Sequence, residues 1–219
     1  MSKVFIVGGA GNVGRRLSQQ LAQRGHQALT LYRNPEQTTS LEALGATPVL
    51  GNLTELDANA LAKLMTGSDV AVFSAGAGGR GGKEMTDKID GQGLELAVAA
   101  AQQAGVARFL LVSAFPEASR GKQVSETFEN YMAVKKRADV HLAASELDWV
   151  ILRPGTLTDA SGTGKVRAGL AISYGDVPRD DVAAALLEII EQPAVSRVII
   201  ELTEGDTPVG EAIGSVAGE

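Results

Sequence analysis

Tyr131 and Lys135 are the side chains whose types and spacing best suit acid–base chemistry in this sequence. They stand four positions apart in a stretch with helical periodicity, so they share one helix face. A lysine ammonium close to a phenol favours the phenolate, which predicts a lowered pKa for Tyr131. Ser113 lies upstream of this pair, directly after an apolar stretch, and its hydroxyl could hold a carbonyl oxygen. The three residues predict a site that exchanges a proton with a substrate oxygen. The alternative is that Tyr131 only packs its helix against the loop after Ser113.

The N-terminus carries a second suggestive pattern, an apolar strand at 4–7 followed by four glycines. The glycines satisfy two related spacings, G-x-G-x-x-G read from Gly9 and G-x-x-G-x-x-G read from Gly8. Glycine lets the backbone approach a phosphate closely, and the N–H groups of the next helix then face that charge. The alternative is a tight turn without a ligand, but strand, turn and helix in this order favour a dinucleotide site. The predicted contacts are Gly8, Gly9, Gly11, Asn12, Val13 and Gly14.

The ends of three later strands supply further candidate contacts to such a nucleotide. Arg33 ends the second strand, where an acidic residue would take the ribose hydroxyls of NAD. Arg33 therefore predicts a contact with the 2′-phosphate of NADP(H), unless it is only a solvated surface arginine. Asn52 and Leu53 follow the third strand beside the expected adenine, and an asparagine that shapes a turn is the equal alternative for Asn52. Ser74, Ala75 and Gly76 end the fourth strand and open a glycine-rich loop that is either a lid or a flexible connection.

Hydrophobic periodicity predicts alternating strands and helices along the whole chain. The predicted strands are 4–7, 26–32, 47–50, 70–73, 108–112, 149–152, 166–173 and 198–200, with a short tail after the last. The predicted helices follow the glycine turn and then occupy about 36–44, 57–66, 87–104, 124–144 and 180–191. No repeat or linker interrupts this alternation. It predicts one α/β domain over residues 1–219, a doubly wound parallel sheet with helices on both faces.

Composition and charge limit the classes of partner. A net charge of −6 argues against a general nucleic-acid or anionic-membrane binder. The chain has no cysteine, and His26 and His141 lie outside any ligand-spaced cluster, so no metal site is expected. No stretch resembles a signal peptide or a membrane helix, which leads us to expect a cytoplasmic protein. We expect a monomer or weak homodimer that meets a small-molecule substrate or a regulated protein partner.

These motifs together resemble the short-chain dehydrogenase/reductase superfamily, in particular its compact, atypical NmrA-like members that bind NAD(P). The matching pieces, which span nearly the whole chain, are Gly8–Gly14, Arg33-Asn34-Pro35, Ser74-Ala75-Gly76, Leu111-Val112-Ser113, Tyr131 with Lys135, and Leu152-Arg153-Pro154-Gly155. The resemblance implies a Rossmann fold of about seven strands. It also implies Tyr131 as acid/base, Lys135 on the nicotinamide ribose and Ser113 near the carbonyl. Pro154 and Gly155 would lie beside the nicotinamide.

Two features depart from larger relatives of this kind. Only residues of about 156–178 could form a substrate-side segment, so any pocket for a substrate is small or open. Ser113 is followed by Ala114, so no second serine supports it. The sequence therefore predicts an oxidoreductase that prefers NADP(H) over NAD(H) and transfers hydride to a small carbonyl, quinone or flavin-type acceptor. The alternatives are a non-catalytic NADP(H)-binding redox sensor and, with less support, an epimerase or isomerase that retains its nucleotide.

Overall fold

The computed structural model of the protein describes residues 1–119 and 121–218. The strands are β1 (Lys3–Val7), β2 (Gln27–Tyr32), β3 (Thr47–Leu50), β4 (Val70–Phe73), β5 (Arg108–Val112), β6 (Asp148–Pro154), β7 (Thr156–Thr158), β8 (Lys165–Gly169), β9 (Asp176–Pro178), β10 (Val198–Glu204) and β11 (Thr207–Pro208). The α-helices are α1 (Asn12–Gln23), α2 (Thr38–Glu42), α3 (Ala58–Met65), α4 (Gly82–Thr86), α5 (Gly93–Ala104), α6 (Glu126–Ala143), α7 (Arg179–Glu191) and α8 (Val209–Ser215). No helix in these two ranges is long and apolar enough to cross a membrane.

A mostly parallel sheet forms the centre of the molecule. Its order is β11-β8-β10-β6-β5-β4-β1-β2-β3. The strands from β10 to β3 run parallel to one another, whereas β8 pairs antiparallel with β10, and β11 pairs antiparallel with β8. Strand order reverses beside β1, which places β2 on one side of it and β4 on the other. In open α/β sheets the crevice at such a reversal, outside the carboxyl ends of the strands, is where ligands bind.

The side chains of β1 show why the strand that precedes the glycine turn is apolar throughout. Val4 and Ile6 belong to a core cluster shared with residues of α1 and α7. Phe5 and Val7 belong to a second cluster, shared with residues of α3 and α5. Successive side chains of a strand point to opposite faces, so a strand covered by helices on both sides has no polar position. The doubly wound α/β fold is therefore confirmed.

The structure differs from the predicted elements at the edge of the sheet. The sheet has nine strands rather than about seven, because β8 and β11 extend the parallel centre. The predicted C-terminal tail contains α8, whose Val209, Ala212 and Ile213 are buried. Only seven residues long, α8 is too short for its apolar spacing to stand out in the sequence. The predicted helix 87–104 is also divided, with a π-helical segment at Asp87–Gln92 before α5.

The single-domain organisation stays a prediction, and limited proteolysis tests it. The loop at 155–165 is tied to α7, where the Asp181 carboxylate accepts hydrogen bonds from the N–H groups of Thr163 and Gly164, each at 2.9 Å. The stretch 78–82 holds four glycines, of which Gly78, Gly79 and Gly82 have open space where a Cβ would stand. We therefore expect the first cut near 78–82 rather than in 155–165. Two stable fragments that separate near residue 110 would contradict a single domain.

Candidate functional site

The glycine turn between β1 and α1 is too crowded for side chains. Gly8 has a φ of +86°, and a Cβ there would lie 2.5 Å from the backbone nitrogen of Ala75. A Cβ on Gly14 would lie 2.6 Å from the carbonyl oxygen of Gly8, so α1 packs directly on the turn. Gly9 is enclosed by Thr30 of β2, whose Cγ2 would be 2.1 Å from an added Cβ. The turn thus keeps its backbone bare at the N-terminus of α1, as an anion site requires.

A cavity of about 510 Å³ opens over this turn. This volume lies within the range of about 300–1,000 Å³ that is usual for small-molecule sites. The ends of β2, β3 and β4 surround it together with the glycine-rich loop. The predicted contacts that line it are Gly8, Gly11, Asn12, Arg33, Asn52, Leu53, Ser74, Ala75 and Gly76. Tertiary structure therefore gathers the predicted contacts from four separate segments around one space.

The remaining predicted contacts lie outside this cavity. Gly9, Val13 and Gly14 pack beneath the turn, and Val13 belongs to the core cluster that contains Leu17. Pro154 and Gly155 stand at the carboxyl end of β6, where Gly155 donates its N–H to the carbonyl of Leu202 at 2.8 Å. Their contacts with a nicotinamide stay predictions.

The charge of the cavity lining favours an anion. Among the described lining residues the only charged side chains are those of Arg33 and Arg80, and none is acidic. Asn52 also lines the cavity, but its side chain organises the local turn. It accepts hydrogen bonds from the N–H and the hydroxyl of Thr54, and it donates one to Glu55. The turn-forming role considered for Asn52 is therefore observed, and its amide is already engaged.

Ser113 lies directly after β5, where its N–H donates to the carbonyl of Leu152 at 2.8 Å. Its hydroxyl oxygen is buried and has no hydrogen-bond partner among the described residues. Buried polar atoms in proteins nearly always have a partner, so an unpaired hydroxyl at the end of a parallel strand suits contact with a bound molecule.

Lys135 is buried on α6 and reaches the same strand end. Its Nζ donates to the carbonyl of Val112, the residue before Ser113, at 2.9 Å. The Oδ1 atom of Asp90 lies 3.9 Å from this Nζ. The pKa of Lys135 is lowered, because the effect of burial exceeds the opposing effect of the nearby carboxylates of Asp90 and Asp139. The structure thus brings Lys135 close to Ser113, and both are predicted site residues.

Tyr131 differs from the sequence-based expectation in its acidity. Its pKa is raised to about 12, first by burial and then by the negative charges of Asp90 and Asp139. The predicted lowering by Lys135 is therefore wrong for this arrangement. The lysine side chain is directed to the Val112 carbonyl and Asp90, while two carboxylates act on the phenol. The phenol is accordingly protonated at neutral pH, the form that a proton donor needs.

Asp90 is the site residue that the sequence analysis missed. Its carboxylate is 3% exposed, and burial raises its pKa despite the opposing charge of Lys135. Its Oδ2 accepts a hydrogen bond from the N–H of Ala77, in the loop that lines the cavity, at 2.9 Å. Asp90 therefore links the cavity to Lys135. A signal was present, because Asp90 precedes the buried positions Leu94 and Ala97 at helical spacing.

An aromatic pair lies beyond Ser113. The ring of Phe115 is buried and contacts that of Tyr174 edge-on, with the centroids 5.2 Å apart. The Tyr174 hydroxyl is 2.6 Å from the hydroxyl of Thr156, and 41% of Tyr174 is exposed. The segment at 156–178 thus places a partly exposed ring between the residues that follow β5 and β6.

Fold and site together define an NAD(P)-binding Rossmann protein, and comparison with known proteins agrees. A family model described as NAD(P)H-binding matches residues 8–193. A Bacillus subtilis (strain 168) protein named as an uncharacterized sugar epimerase, YhfK, is 38% identical over 212 residues, which cover 96% of this chain and 98% of the relative.

Two solved structures share the whole fold. One, from Bacillus halodurans and provisionally described as an NAD-dependent epimerase/dehydratase, has a TM-score of 0.90 at 31% identity, covering 99% of this chain and 100% of that one. The oxidoreductase ylbE from Lactococcus lactis has a TM-score of 0.86 at 27% identity, covering 99% and 97%. The chain belongs to the NAD(P)H-binding family, and the expected relation to atypical short-chain dehydrogenases/reductases is confirmed.

Proposed function

We propose that the protein is an NADPH-dependent oxidoreductase that transfers hydride to a small carbonyl, quinone or flavin-type acceptor. The observation that carries the cofactor preference is Arg33, which lies at the end of β2 in a cavity whose described lining has no carboxylate. Its guanidinium forms no hydrogen bond or ion pair with the rest of the described chain, so its donors are available to a phosphate.

Replacing Arg33 by Ala is expected to weaken NADPH binding by about ten- to a hundredfold and to leave NADH binding nearly unchanged. A charge-assisted contact to phosphate contributes about 1.5–3 kcal/mol, which corresponds to that range of affinity. Calorimetric titration of the wild type and the variant with both nucleotides measures it. Arg167→Ala is the matched control, because Arg167 is exposed on β8 and does not line the cavity.

Equal wild-type affinities for the two nucleotides, or undiminished NADPH binding by Arg33→Ala, would remove Arg33 from this role. Arg15 is then the next candidate in the first turn of α1. Arg16, its neighbour, is already engaged, with its Nε 2.8 Å from Oδ1 of Asp180 and its Nη1 3.0 Å from the carbonyl of Asn12.

The proposed chemistry assigns one task to each of Ser113, Tyr131 and Lys135. The bound nucleotide supplies hydride. Tyr131, a neutral phenol at pH 7, gives its proton to the substrate oxygen, because the alkoxide left by hydride addition is strongly basic. Ser113 holds that oxygen with its unpaired hydroxyl, and Lys135 binds the nicotinamide ribose from its position beside Val112.

The acceptor class is supported by the aromatic pair of Phe115 and Tyr174. The partly exposed ring of Tyr174, which contacts Phe115 two residues after Ser113, suits a flat, conjugated acceptor, since aromatic rings pack favourably on one another. Consumption of NADPH should therefore be screened with quinones, flavins and small aldehydes. The proposal also includes a single domain in which the 156–178 segment forms the substrate side. It further includes a cytoplasmic location and a monomer or weak dimer without nucleic-acid or membrane partners.

That screen distinguishes the oxidoreductase from two other functions, and a second measurement distinguishes those two from each other. An NADP(H)-binding redox sensor would bind NADPH tightly and reduce none of the acceptors, since a sensor needs the cavity but not the proton donor. An epimerase is favoured by the names of the Bacillus subtilis and Bacillus halodurans relatives. It would invert a sugar nucleotide without net consumption of NADPH, which NMR of the product detects.

A further inference from the structure

Arg80 is the second cation of the nucleotide cavity. It lies on the loop after β4, whereas Arg33 lies at the end of β2, and these strands flank β1 on opposite sides. The Arg80 guanidinium is exposed and has no hydrogen bond or ion pair with the described parts of the chain. In a protein of net charge −6, two arginines without partners among the described residues, in a described lining that has no acidic side chain, are suited to a multiply charged anion.

Arg80 is the only residue with a side chain in the stretch 78–82 of this loop. Between Ala77 and Lys83 every residue except Arg80 is glycine. Both ends of this stretch are held, because the Ala77 N–H donates to Asp90 and Lys83 forms an ion pair with Glu126 of α6. The glycines at 78, 79, 81 and 82 all have positive φ, which other residues rarely adopt. The stretch therefore carries one long cationic side chain on a backbone anchored at both ends.

The charge of the expected ligand requires more than Arg33. A phosphate monoester such as the 2′-phosphate of NADPH carries about −1.5 to −2 charges at pH 7, and a single guanidinium neutralises only one of them. The bare glycine turn and the N-terminus of α1 would supply the donors for the diphosphate bridge. We propose that Arg80 is a second specificity-determining residue, which binds the 2′-phosphate of NADPH together with Arg33. This inference rests on the proposed preference for NADPH.

The test measures affinities for NADPH, NADH, 2′,5′-ADP and 5′-ADP by calorimetry in the wild type, Arg80→Gln, Arg80→Lys and the double variant Arg33→Gln/Arg80→Gln. Arg80→Gln is expected to weaken NADPH and 2′,5′-ADP by about tenfold and to leave NADH and 5′-ADP unchanged. Arg80→Lys keeps the charge and should lose less. The double variant should bind NADPH no more tightly than NADH. Arg167→Gln, outside the cavity, is the control and should match the wild type.

The outcomes separate this inference from the proposed function. A wild type that prefers NADPH, together with an Arg80→Gln variant of unchanged affinity, overturns the role of Arg80 alone. An equal loss for NADPH and NADH also overturns it, because Arg80 would then act on the diphosphate or on the loop. A wild type without any preference for NADPH overturns both the inference and the proposed preference. Thermal unfolding of each variant shows whether a loss of affinity reflects a loss of folded protein.

Discussion

Tyr131→Phe is expected to lower the rate of carbonyl reduction by about 10²–10⁴-fold, the usual contribution of a positioned acid. NADPH affinity should hardly change, because the phenol hydroxyl serves the proton transfer and the ring is retained. Steady-state turnover and nucleotide titration of the variant beside the wild type measure the two effects. Lys135→Ala is expected to damage both, because Lys135 is assigned to the nicotinamide ribose and to the end of β5.

The pH profile gives an independent check of the same role. A pKa of about 12 keeps Tyr131 protonated well above neutral pH. Reduction should therefore not fall between about pH 7 and pH 10 through loss of the Tyr131 proton. Turnover of a carbonyl that survives Tyr131→Phe would contradict the acid role and indicate simple hydride donation. Unchanged thermal unfolding of the variant excludes a trivial loss of folded enzyme.

Asp90→Ala is expected to destabilise the protein by about 3–5 kcal/mol, the usual cost of removing one partner from a buried ion pair. The substitution leaves the buried Lys135 ammonium without its neighbour at 3.9 Å and leaves the Ala77 N–H without an acceptor. Because Ala77 begins the loop that carries Arg80, nucleotide affinity should also fall. Denaturant unfolding in the absence of nucleotide measures the change in the free energy of unfolding.

Two further variants identify the cause of that destabilisation. Asp90→Asn keeps a hydrogen-bond acceptor for Ala77 but removes the charge, so it should cost less than Asp90→Ala. In the double variant Asp90→Ala/Lys135→Met no buried ammonium is left without a counter-charge, so it should be more stable than Asp90→Ala alone. The single variant Lys135→Met completes the cycle, and a double variant whose loss of stability equals the sum of the losses of Asp90→Ala and Lys135→Met would contradict an energetic link between Asp90 and Lys135.

Local patterns were enough to predict the class of the protein. The strand, glycine turn and helix from Val4 onward lie in one short stretch, and their geometry depends on neighbours in the chain. The crowding around Gly8 and Gly14 explains why glycine stands at both positions, because neither has room for a side chain. The parallel centre of the sheet could also be predicted from the sequence, since alternating strands and helices allow few other arrangements. A strand was predicted at 166–173, where β8 lies, but β11 and the antiparallel pairing at this edge were not predicted, because strand pairing depends on residues distant in sequence.

The sequence by itself determined that the chain has a nucleotide-binding turn and a Tyr131/Lys135 pair on one helix. It could not determine the acidity of that pair, which depends first on burial and then on the carboxylates of Asp90 and Asp139. Asp90 lies more than 40 positions upstream of both residues. Nor could the sequence show that Arg33 and Arg80, from different loops, line one cavity whose described lining has no acidic residue. A motif consists of a few neighbouring residues, so it can be recognised from the sequence alone. Burial and electrostatic interactions act through space, and only the folded chain fixes which charges lie close enough to matter.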